Sequence, residues 1–349
     1  MKFIASLPYL AALANALAVD ISKRDSPINV EIEMVSNSEV KAKITNTGSE
    51  ALNVFKTGSI LDNRPIEKTA VSVGGENVAF SGLKIFVDST LVAADEFQTL
   101  GAGETVEAQW DVAEVHDLSA GGDFDIATTG SLKYATANST EIIGEASIES
   151  ATIKVTVDGA QASSVHENSP LKRTVIASDC SSSQRSTLTS ALTGCVQYAQ
   201  AAATAANSAP AAKLEEYFKS SSSTTRSTVA RAFNNMATQC GSASSGNTQI
   251  RCTDSAGACQ GSVVAYTVPS QSYMHYCPSW YSYPASTSTC HGTDRPYVVV
   301  HEATHLTQVK GTDDYSCYGY SCVRGLTAAR NLNHADTYAL FAQAIRVNC

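Results

Sequence analysis

The chain has 349 residues and a formal net charge of −9 at pH 7. The charge is uneven: 13 basic against 24 acidic residues give −11 in 1–173, whereas 11 against 9 give +2 in 174–349. Neither half contains a run of basic residues of the kind that binds nucleic acid, so no direct nucleic-acid partner is expected.

The chain opens with a segment typical of a secretory signal peptide. Residues 1–18, MKFIASLPYLAALANALA, combine one lysine, an apolar run and small residues at the end. The run is too short to cross a bilayer, and no other stretch is long enough. The sequence therefore predicts a secreted, extracellular protein with no membrane anchor.

Residues 19–173 have the pattern of short strands. Apolar and polar residues alternate in INVEIEMV, VKAKITNTG, LKIFVDST, TVEAQWDVA, GSLKYAT and ATIKVTVDG, and Gly, Asn, Ser and Asp separate these runs. Strands at this spacing predict a separate all-β, sandwich-like domain. The one usable N-glycosylation sequon, Asn138-Ser139-Thr140, lies in this part.

A dibasic pair marks the boundary between the two halves. Lys172-Arg173 lies in a polar, proline-containing segment just before the first cysteine. Cleavage after Arg173 is expected to separate a propeptide, residues 19–173, from a mature domain, residues 174–349. A second pair, Lys23-Arg24, is a candidate for trimming. The propeptide is expected to act as a folding aid or as an inhibitor.

The mature half differs from the propeptide in cysteine content and in periodicity. All ten cysteines lie between Cys180 and Cys349, and an even number in an exported chain predicts five disulfides. Paired C-x-x-C spacings, which a cysteine zinc site would need, do not occur. The patterns predict helices near 182–206, 211–239, 296–310 and 334–347, and strands at Ser262–Val268 and Gln271–Tyr276. This is a mainly helical α+β domain with a small sheet.

One motif carries the chemistry: His301, Glu302 and His305 in the spacing H-E-x-x-H. Only a helix brings residues four apart onto one face, and Pro296 and Gly311 suit its start and end. Two histidines and one further ligand would hold zinc. The motif also arises by chance, and the alternative is a pair of histidines that only pack in the core. An exported protein with a propeptide favours the zinc site over this alternative.

The third ligand has to be sought downstream of the motif. The metzincin extension fails, because position 308 is Gln and position 311 is Gly. A thermolysin-like glutamate also fails, because no glutamate follows Glu302. The remaining downstream candidates are Asp313, Asp314, His334 and Asp336.

The motif followed by GTDDYSCYG resembles the deuterolysin or aspzincin family (M35) of fungal secreted zinc metalloendopeptidases, whose second motif is G-T-x-D-x-x-Y-G. The resemblance extends over most of the chain, including the pro-segment and the terminal NHADTYALFAQAIRVNC. It implies a zincin-like fold and one Zn²⁺ per catalytic domain, held by His301, His305 and Asp314. A zinc-bound water would attack the peptide carbonyl with Glu302 as general base. Protein or peptide substrates, basic ones in some members, and a monomeric enzyme are expected.

The chain departs from the family pattern at one point. Three residues, not two, separate Asp314 from the Tyr318-Gly319 pair. Tyr318 is the simplest candidate for stabilising the oxyanion, with Tyr315, Tyr320 and Tyr281 as alternatives.

Asp336 has two interpretations that the sequence leaves open. It follows Asn333, a good N-cap, by three residues, so it either stabilises a helix N-terminus or holds a ligand histidine. His334 and His291 are expected to be surface or structural residues.

The resemblance also implies a disulfide pattern. It pairs Cys180 with Cys252, Cys259 with Cys277, and Cys290 with Cys349, which leaves Cys195 with Cys240 and Cys317 with Cys322.

Two other function classes were weighed. A secreted, disulfide-rich binding protein on an inactive protease fold is the main alternative, and the intact Glu302 argues against it. A serine or cysteine hydrolase is disfavoured, because G-x-S-x-G is absent from residues 174–349 and the cysteines are expected to be paired.

Overall fold

A computed structural model describes residues 26–168, 179–241 and 248–349 of the chain. The expected signal peptide and both dibasic pairs lie outside these ranges. The helices are α1 Gly159–Asn168, α2 Ser182–Ser208, α3 Ala211–Phe218, α4 Ser223–Cys240, α5 Arg295–His305, α6 Gly319–Gly325, α7 Ala328–Asn331 and α8 Ala335–Val347. The strands are β1 Ile28–Met34, β2 Glu39–Asn46, β3 Leu52–Phe55, β4 Thr69–Val73, β5 Glu76–Asn77, β6 Lys84–Val87, β7 Phe97–Leu100, β8 Thr105–Asp111, β9 Gly122–Thr136, β10 Gly144–Glu149, β11 Ile153–Val157, β12 Gln249–Arg251, β13 Val263–Val268 and β14 Tyr273–Tyr276.

Two antiparallel sheets make up most of the N-terminal half. Strands β1, β2 and β8 form one sheet, and β9 is the central strand of the other, where it pairs with β3, β4, β10 and β11. Burial alternates along β2 and through most of β9, so one face of each strand turns inward. The apolar side chains between the sheets include Val40, Ile44, Leu100, Leu118 and Leu132, all of them fully buried.

The prediction of a separate all-β domain ahead of the catalytic domain is wrong. Strand β6 leaves the N-terminal sheets and pairs antiparallel with β13, which completes the four-stranded sheet β12-β14-β13-β6 of the C-terminal half. The physical reason is that β13 has a free edge of backbone N–H and C=O groups, which β6 satisfies. An apolar cluster containing Ile85 and Val87 with Val263 and Tyr266 seals the same junction. In addition, α1 is helical, so the N-terminal half is not all-β.

The C-terminal half is mainly helical, as its sequence patterns indicate. Helices α2, α4, α5 and α8 pack around one core, which Tyr338, Phe341, Phe233 and Trp280 fill with aromatic rings. No helix in the described ranges is both long enough and apolar enough to cross a membrane.

Several features of this half differ from the predicted helices. Helix α5 ends at His305, five residues before the expected 310, because Leu306 has an extended backbone (ψ 130°), and the short helices α6 and α7 match no predicted helix. The single helix expected over 211–239 is two helices, because α3 ends at Lys219 in the left-handed region (φ 54°) and Ser222 caps α4 through Thr225 N. Helix α8 begins one residue later than expected: His334, not Asn333, is its N-cap residue.

Five disulfides crosslink the C-terminal half, and no cysteine is free. Their pairing is the one that the family resemblance implies together with the two remaining pairs: Cys180–Cys252, Cys195–Cys240, Cys259–Cys277, Cys290–Cys349 and Cys317–Cys322. The Cys195–Cys240 bond joins α2 to the end of α4, and Cys290–Cys349 ties the end of the chain to the loop before α5.

Candidate metal centre

Helix α5 places the two histidines of the motif. Asp294 caps it by accepting a hydrogen bond from Tyr297 N (2.9 Å), and Pro296 occupies the first turn. The run Val298–Val300 favours a strand by propensity, but all three side chains are fully buried in the helical core. Tertiary packing therefore overrides the local preference, and His301 comes to lie beside His305.

Three side chains converge at this point. Nε2 of His301 and Nε2 of His305 lie 3.1 and 3.3 Å from Oδ1 of Asp314, and 3.3 Å from each other. Both histidines are fully buried and Asp314 is 8 % exposed. Two histidines and one carboxylate are a donor set typical of zinc enzymes.

The hydrogen bonds of the two Nδ1 atoms determine whether the two Nε2 atoms carry a proton in the neutral rings. Nδ1 of His305 lies 2.9 Å from the carbonyl oxygen of Thr312, which only accepts, so Nδ1 carries the proton. Nδ1 of His301 likewise donates to Asp336 (3.1 Å). In the neutral rings both Nε2 atoms then present lone pairs, and these face Oδ1 of Asp314, which is buried and in that state receives no hydrogen bond from the described residues. A cation is the group that would satisfy three such acceptors, so the residues fit a metal ion.

The charges of the cluster are strongly coupled. Burial raises the pKa of Asp314, but the two histidines outweigh it and hold that pKa far below its usual range. Burial lowers the pKa of His301, yet Asp314 and Asp336 together raise it to about 10. The carboxylate is thus ionised at neutral pH, which is the form that a metal ion requires. Without an ion, the raised pKa favours a proton on Nε2 of His301, and a bound metal ion would replace that proton.

Asp336 contacts one histidine of the cluster and does not cap its own helix. Its Oδ1 accepts hydrogen bonds from His301 and from the hydroxyl of Tyr297 (2.6 Å), and its Oδ2 accepts from Gly319 N. Of the two interpretations that the sequence left open, this geometry matches the one in which Asp336 orients a histidine.

Glu302 lies next to the cluster and is fully buried. Its Oε2 accepts a hydrogen bond from the hydroxyl of Thr267 (2.6 Å), whereas Oε1 has no partner among the described residues. Burial raises the pKa of Glu302 to about 7, against the opposing effect of the two histidines.

Tyr318 is the tyrosine of the four candidates whose ring lies near a histidine of the cluster, at 6.1 Å between centroids from His301. Its hydroxyl donates to the carbonyl oxygen of Ile85 in β6 (2.7 Å). The hydroxyls of the other three have partners elsewhere: Tyr315 accepts from Asn333, Tyr320 donates to Glu216, and Tyr281 lies near Sγ of Cys252.

The additional residue before Tyr318 is absorbed locally. Tyr315 and Ser316 both adopt the left-handed region, with φ of 52° and 53°, and the Cys317–Cys322 bond follows directly. Two consecutive non-glycine residues in this region mark a sharp local turn, and Tyr318, two residues later, lies beside His301.

Sequence reasoning missed several supporting residues. Thr267 contacts Glu302 through the hydroxyl described above, and no motif singles it out. Thr312 is the threonine of the second motif, but the motif does not indicate that its carbonyl oxygen accepts a hydrogen bond from His305. His334, expected to be a surface or structural residue, is buried, and its Nε2 lies 2.8 Å from Cys317 O and 3.1 Å from Asp314 O. It therefore supports the loop that carries the third candidate ligand. His291 is half-buried, and its Nε2 lies 2.7 Å from the hydroxyl of Tyr217.

Comparison with known proteins places this chain in a family. The family described as deuterolysin metalloprotease (M35) matches residues 1–349. The neutral protease 2 homolog of Colletotrichum graminicola is 47% identical over 100% of both chains, and that of Pyricularia oryzae is 48% identical over 97% of each. A solved zinc peptidase from Grifola frondosa is 24% identical with a TM-score of 0.39, over 47% of this chain and 97% of that chain.

The match over the whole length, together with relatives at these identities, decides the assignment. The chain belongs to the deuterolysin (M35) metalloprotease family and is a zinc metalloendopeptidase.

Proposed function

We propose that this chain is the secreted precursor of an endopeptidase that hydrolyses peptide bonds in proteins at a zinc site formed by His301, His305 and Asp314. The observation that carries the proposal is the convergence of their three acceptor atoms within 4.8 Å of one another, with Oδ1 of Asp314 buried and without a hydrogen-bond donor. One ion per catalytic domain is expected. When bound there, Zn²⁺ acts as a Lewis acid that polarises a carbonyl and lowers the pKa of a water ligand.

The residues around the ion have separate tasks. Glu302 is the general base: its free Oε1 accepts a proton from the attacking water and later returns it to the leaving amine. A pKa near 7 suits both steps, because the ionised and protonated forms are then both accessible at neutral pH. Asp336 and the Thr312 carbonyl keep the two histidines in the tautomer that presents Nε2.

Tyr318 is the proposed oxyanion donor. Its hydroxyl already donates to a peptide carbonyl, that of Ile85, beside His301. A substrate carbonyl in the same place would receive this hydrogen bond, and the bond strengthens as negative charge develops on the oxygen.

The N-terminal half is proposed to inhibit the active site of the C-terminal half. Strand β6 covers the edge of β13, and Phe86 is 4 % exposed with its ring 4.8 Å from that of His301 in an edge-on contact. Lys84 is buried and forms ion pairs with Asp313 (2.6 Å) and with Glu67. In the same strand, the carbonyl oxygen of Ile85 occupies the Tyr318 hydroxyl. Cleavage after Arg173 would allow β6 to leave.

A secreted binding protein on an inactive protease fold is the second candidate. A binding protein would have no use for a buried carboxylate next to the metal cluster, where the loss of solvation destabilises the charged group. Glu302 is present there, fully buried, and held by Thr267. The geometry therefore favours the enzyme.

The test is zinc content and casein hydrolysis of the processed protein for the wild type, Asp314→Ala and Glu302→Gln. Asp314→Ala should lose zinc, because two histidines alone bind it weakly. Glu302→Gln should keep zinc and lose at least about 100-fold in kcat, because the base is removed while the ligands remain.

Two results would contradict the proposal. A zinc-loaded wild type that hydrolyses no protein would favour the binding protein. An Asp314→Ala variant that retains zinc would reject this aspartate as the third ligand.

A further inference from the structure

We propose that Thr267 is a positioning residue for the general base: its hydroxyl fixes the carboxylate of Glu302 so that Oε1 alone is left for proton transfer. The inference rests on the proposed function of Glu302 and adds a residue that neither H-E-x-x-H nor the second motif contains.

The contact is short and one-sided. Oγ1 of Thr267 lies 2.6 Å from Oε2 of Glu302 and 3.1 Å from the main-chain oxygen of the same residue. A hydroxyl has one hydrogen, and the carboxylate is both the nearer and the more strongly accepting group, so the hydrogen goes to Oε2. Oε1 receives none from the described residues. The two oxygens are thereby made different.

Strand β13 determines the direction in which the Thr267 side chain points. Side chains alternate along β13, so Tyr266 and Val268 turn to the apolar cluster behind the sheet, while Ala265 faces the helical core that contains α5. Thr267 shares the face of Ala265 and so points at α5, where Glu302 lies. Strand β13 is paired with β14 and packs against α5, and neither contact involves β6, so the hydroxyl keeps its place when β6 leaves.

The burial of Thr267 distinguishes a positioning role from a packing role. Thr267 is fully buried between a sheet and a helix, and valine has nearly the same shape. A hydroxyl in such a place is unfavourable unless it is hydrogen-bonded, so packing alone would favour the apolar residue. Both acceptors of this hydroxyl belong to Glu302, so the side chain serves that residue.

The experiment uses the full chain, secreted and processed, with Thr267→Val and Thr267→Ser compared with the wild type. Thr225→Val is the matched control, since Thr225 is also buried and hydrogen-bonded, but to serines at the start of α4. The measurements are kcat and KM on a fluorogenic peptide, zinc content, and crystal structures of the zinc-free proteins.

Thr267→Val should lower kcat by roughly 10- to 100-fold with KM within about twofold and with zinc retained. Thr267→Ser should restore kcat to within about threefold of the wild type, since it returns the hydroxyl. In the zinc-free Thr267→Val structure, the Glu302 carboxylate should leave the position it has in the wild type.

The proposal is overturned if Thr267→Val keeps the wild-type kcat, if Thr267→Ser loses as much as Thr267→Val, or if Thr225→Val loses as much. Should Thr267→Val fail to fold, the pair Thr267→Ser and Thr267→Ala decides the same question, because they differ by the hydroxyl alone. An inactive wild type would reject the proposed function, and the zinc-free structures would still show whether Thr267 holds Glu302.

Discussion

At the scale of single residues, Asp336 carries more contacts than its sequence position suggests. One carboxylate accepts hydrogen bonds from His301, from Tyr297 and from Gly319 N, which directly follows Tyr318 in the chain. It thus connects a candidate zinc ligand to the start of α6 and to the residue beside the proposed oxyanion donor. Both sides of the site depend on one buried charge.

This gives a prediction for Asp336→Asn. The amide would turn an N–H group toward the N–H of Gly319 or toward the ring of His301, so one of the three hydrogen bonds is replaced by two opposed donors. Zinc affinity, measured by competition with a chelator, should fall about 10- to 100-fold. Asp179→Asn is the control, because Asp179 also accepts hydrogen bonds from backbone N–H groups, those of Cys252 and Thr253. Equal losses in both variants would mean that the effect is general destabilisation.

Residue identity was predictable where spacing alone decides it. His301, Glu302 and His305 follow from one helical turn, and the positions of Asp314 and Tyr318 follow from a second motif known only through a family resemblance. Thr267 could not be found, because it contributes one hydroxyl from a strand 35 positions before Glu302, and a threonine in a strand leaves no pattern that marks it. Thr312 lies within the second motif, but the role of its backbone carbonyl oxygen does not depend on the side chain and so leaves no trace in the sequence.

At the scale of elements, β6 shows what a strand pattern does and does not determine. The run LKIFVDST correctly predicts a strand, but its pairing with β13 depends on residues about 180 positions later in the chain. All four residues of β6 are buried, which distinguishes it from the one-sided strands of the N-terminal sheets. The strand pattern alone therefore assigns β6 to the N-terminal sandwich, which is the wrong sheet.

If β6 blocks the site, a charge at its centre should open it. In a precursor that carries Lys172→Ala and Arg173→Ala, Phe86→Asp should raise hydrolysis of a short fluorogenic peptide by at least about tenfold, because losing the burial of this ring costs about 3–5 kcal/mol. Leu91→Asp adds the same charge on an exposed side chain four residues after the end of β6 and should change nothing. A fully active precursor before the Phe86 change would rule out inhibition by β6.

At the scale of the whole molecule, composition correctly indicated two unlike halves but not their junction. Charge, cysteine content and periodicity all change near residue 173, and the two halves do have different architectures. What these properties do not determine is contact: they predicted two independent domains, whereas the halves share a sheet and an apolar cluster. Strand pairing between the two halves depends on their three-dimensional structure, which bulk composition does not determine.

Processing is the prediction that belongs to this scale. The secreted wild-type protein should begin at Thr174, and the Lys172→Ala, Arg173→Ala variant should keep residues before it. N-terminal sequencing and intact mass of the secreted material measure this directly. Lys23→Ala with Arg24→Ala is the matched control and should leave the mature N-terminus unchanged. A mature protein that starts elsewhere would move the boundary.

The placement of the disulfides has a further consequence. Every one of the ten cysteines pairs within residues 180–349, so no covalent crosslink joins the two halves. Once the peptide link is cut, the two pieces form a complex whose dissociation obeys mass action. Dilution after secretion would then itself favour the separated enzyme, and a crowded secretory vesicle would favour the complex. Activity would thus depend on the total protein concentration as well as on the cut.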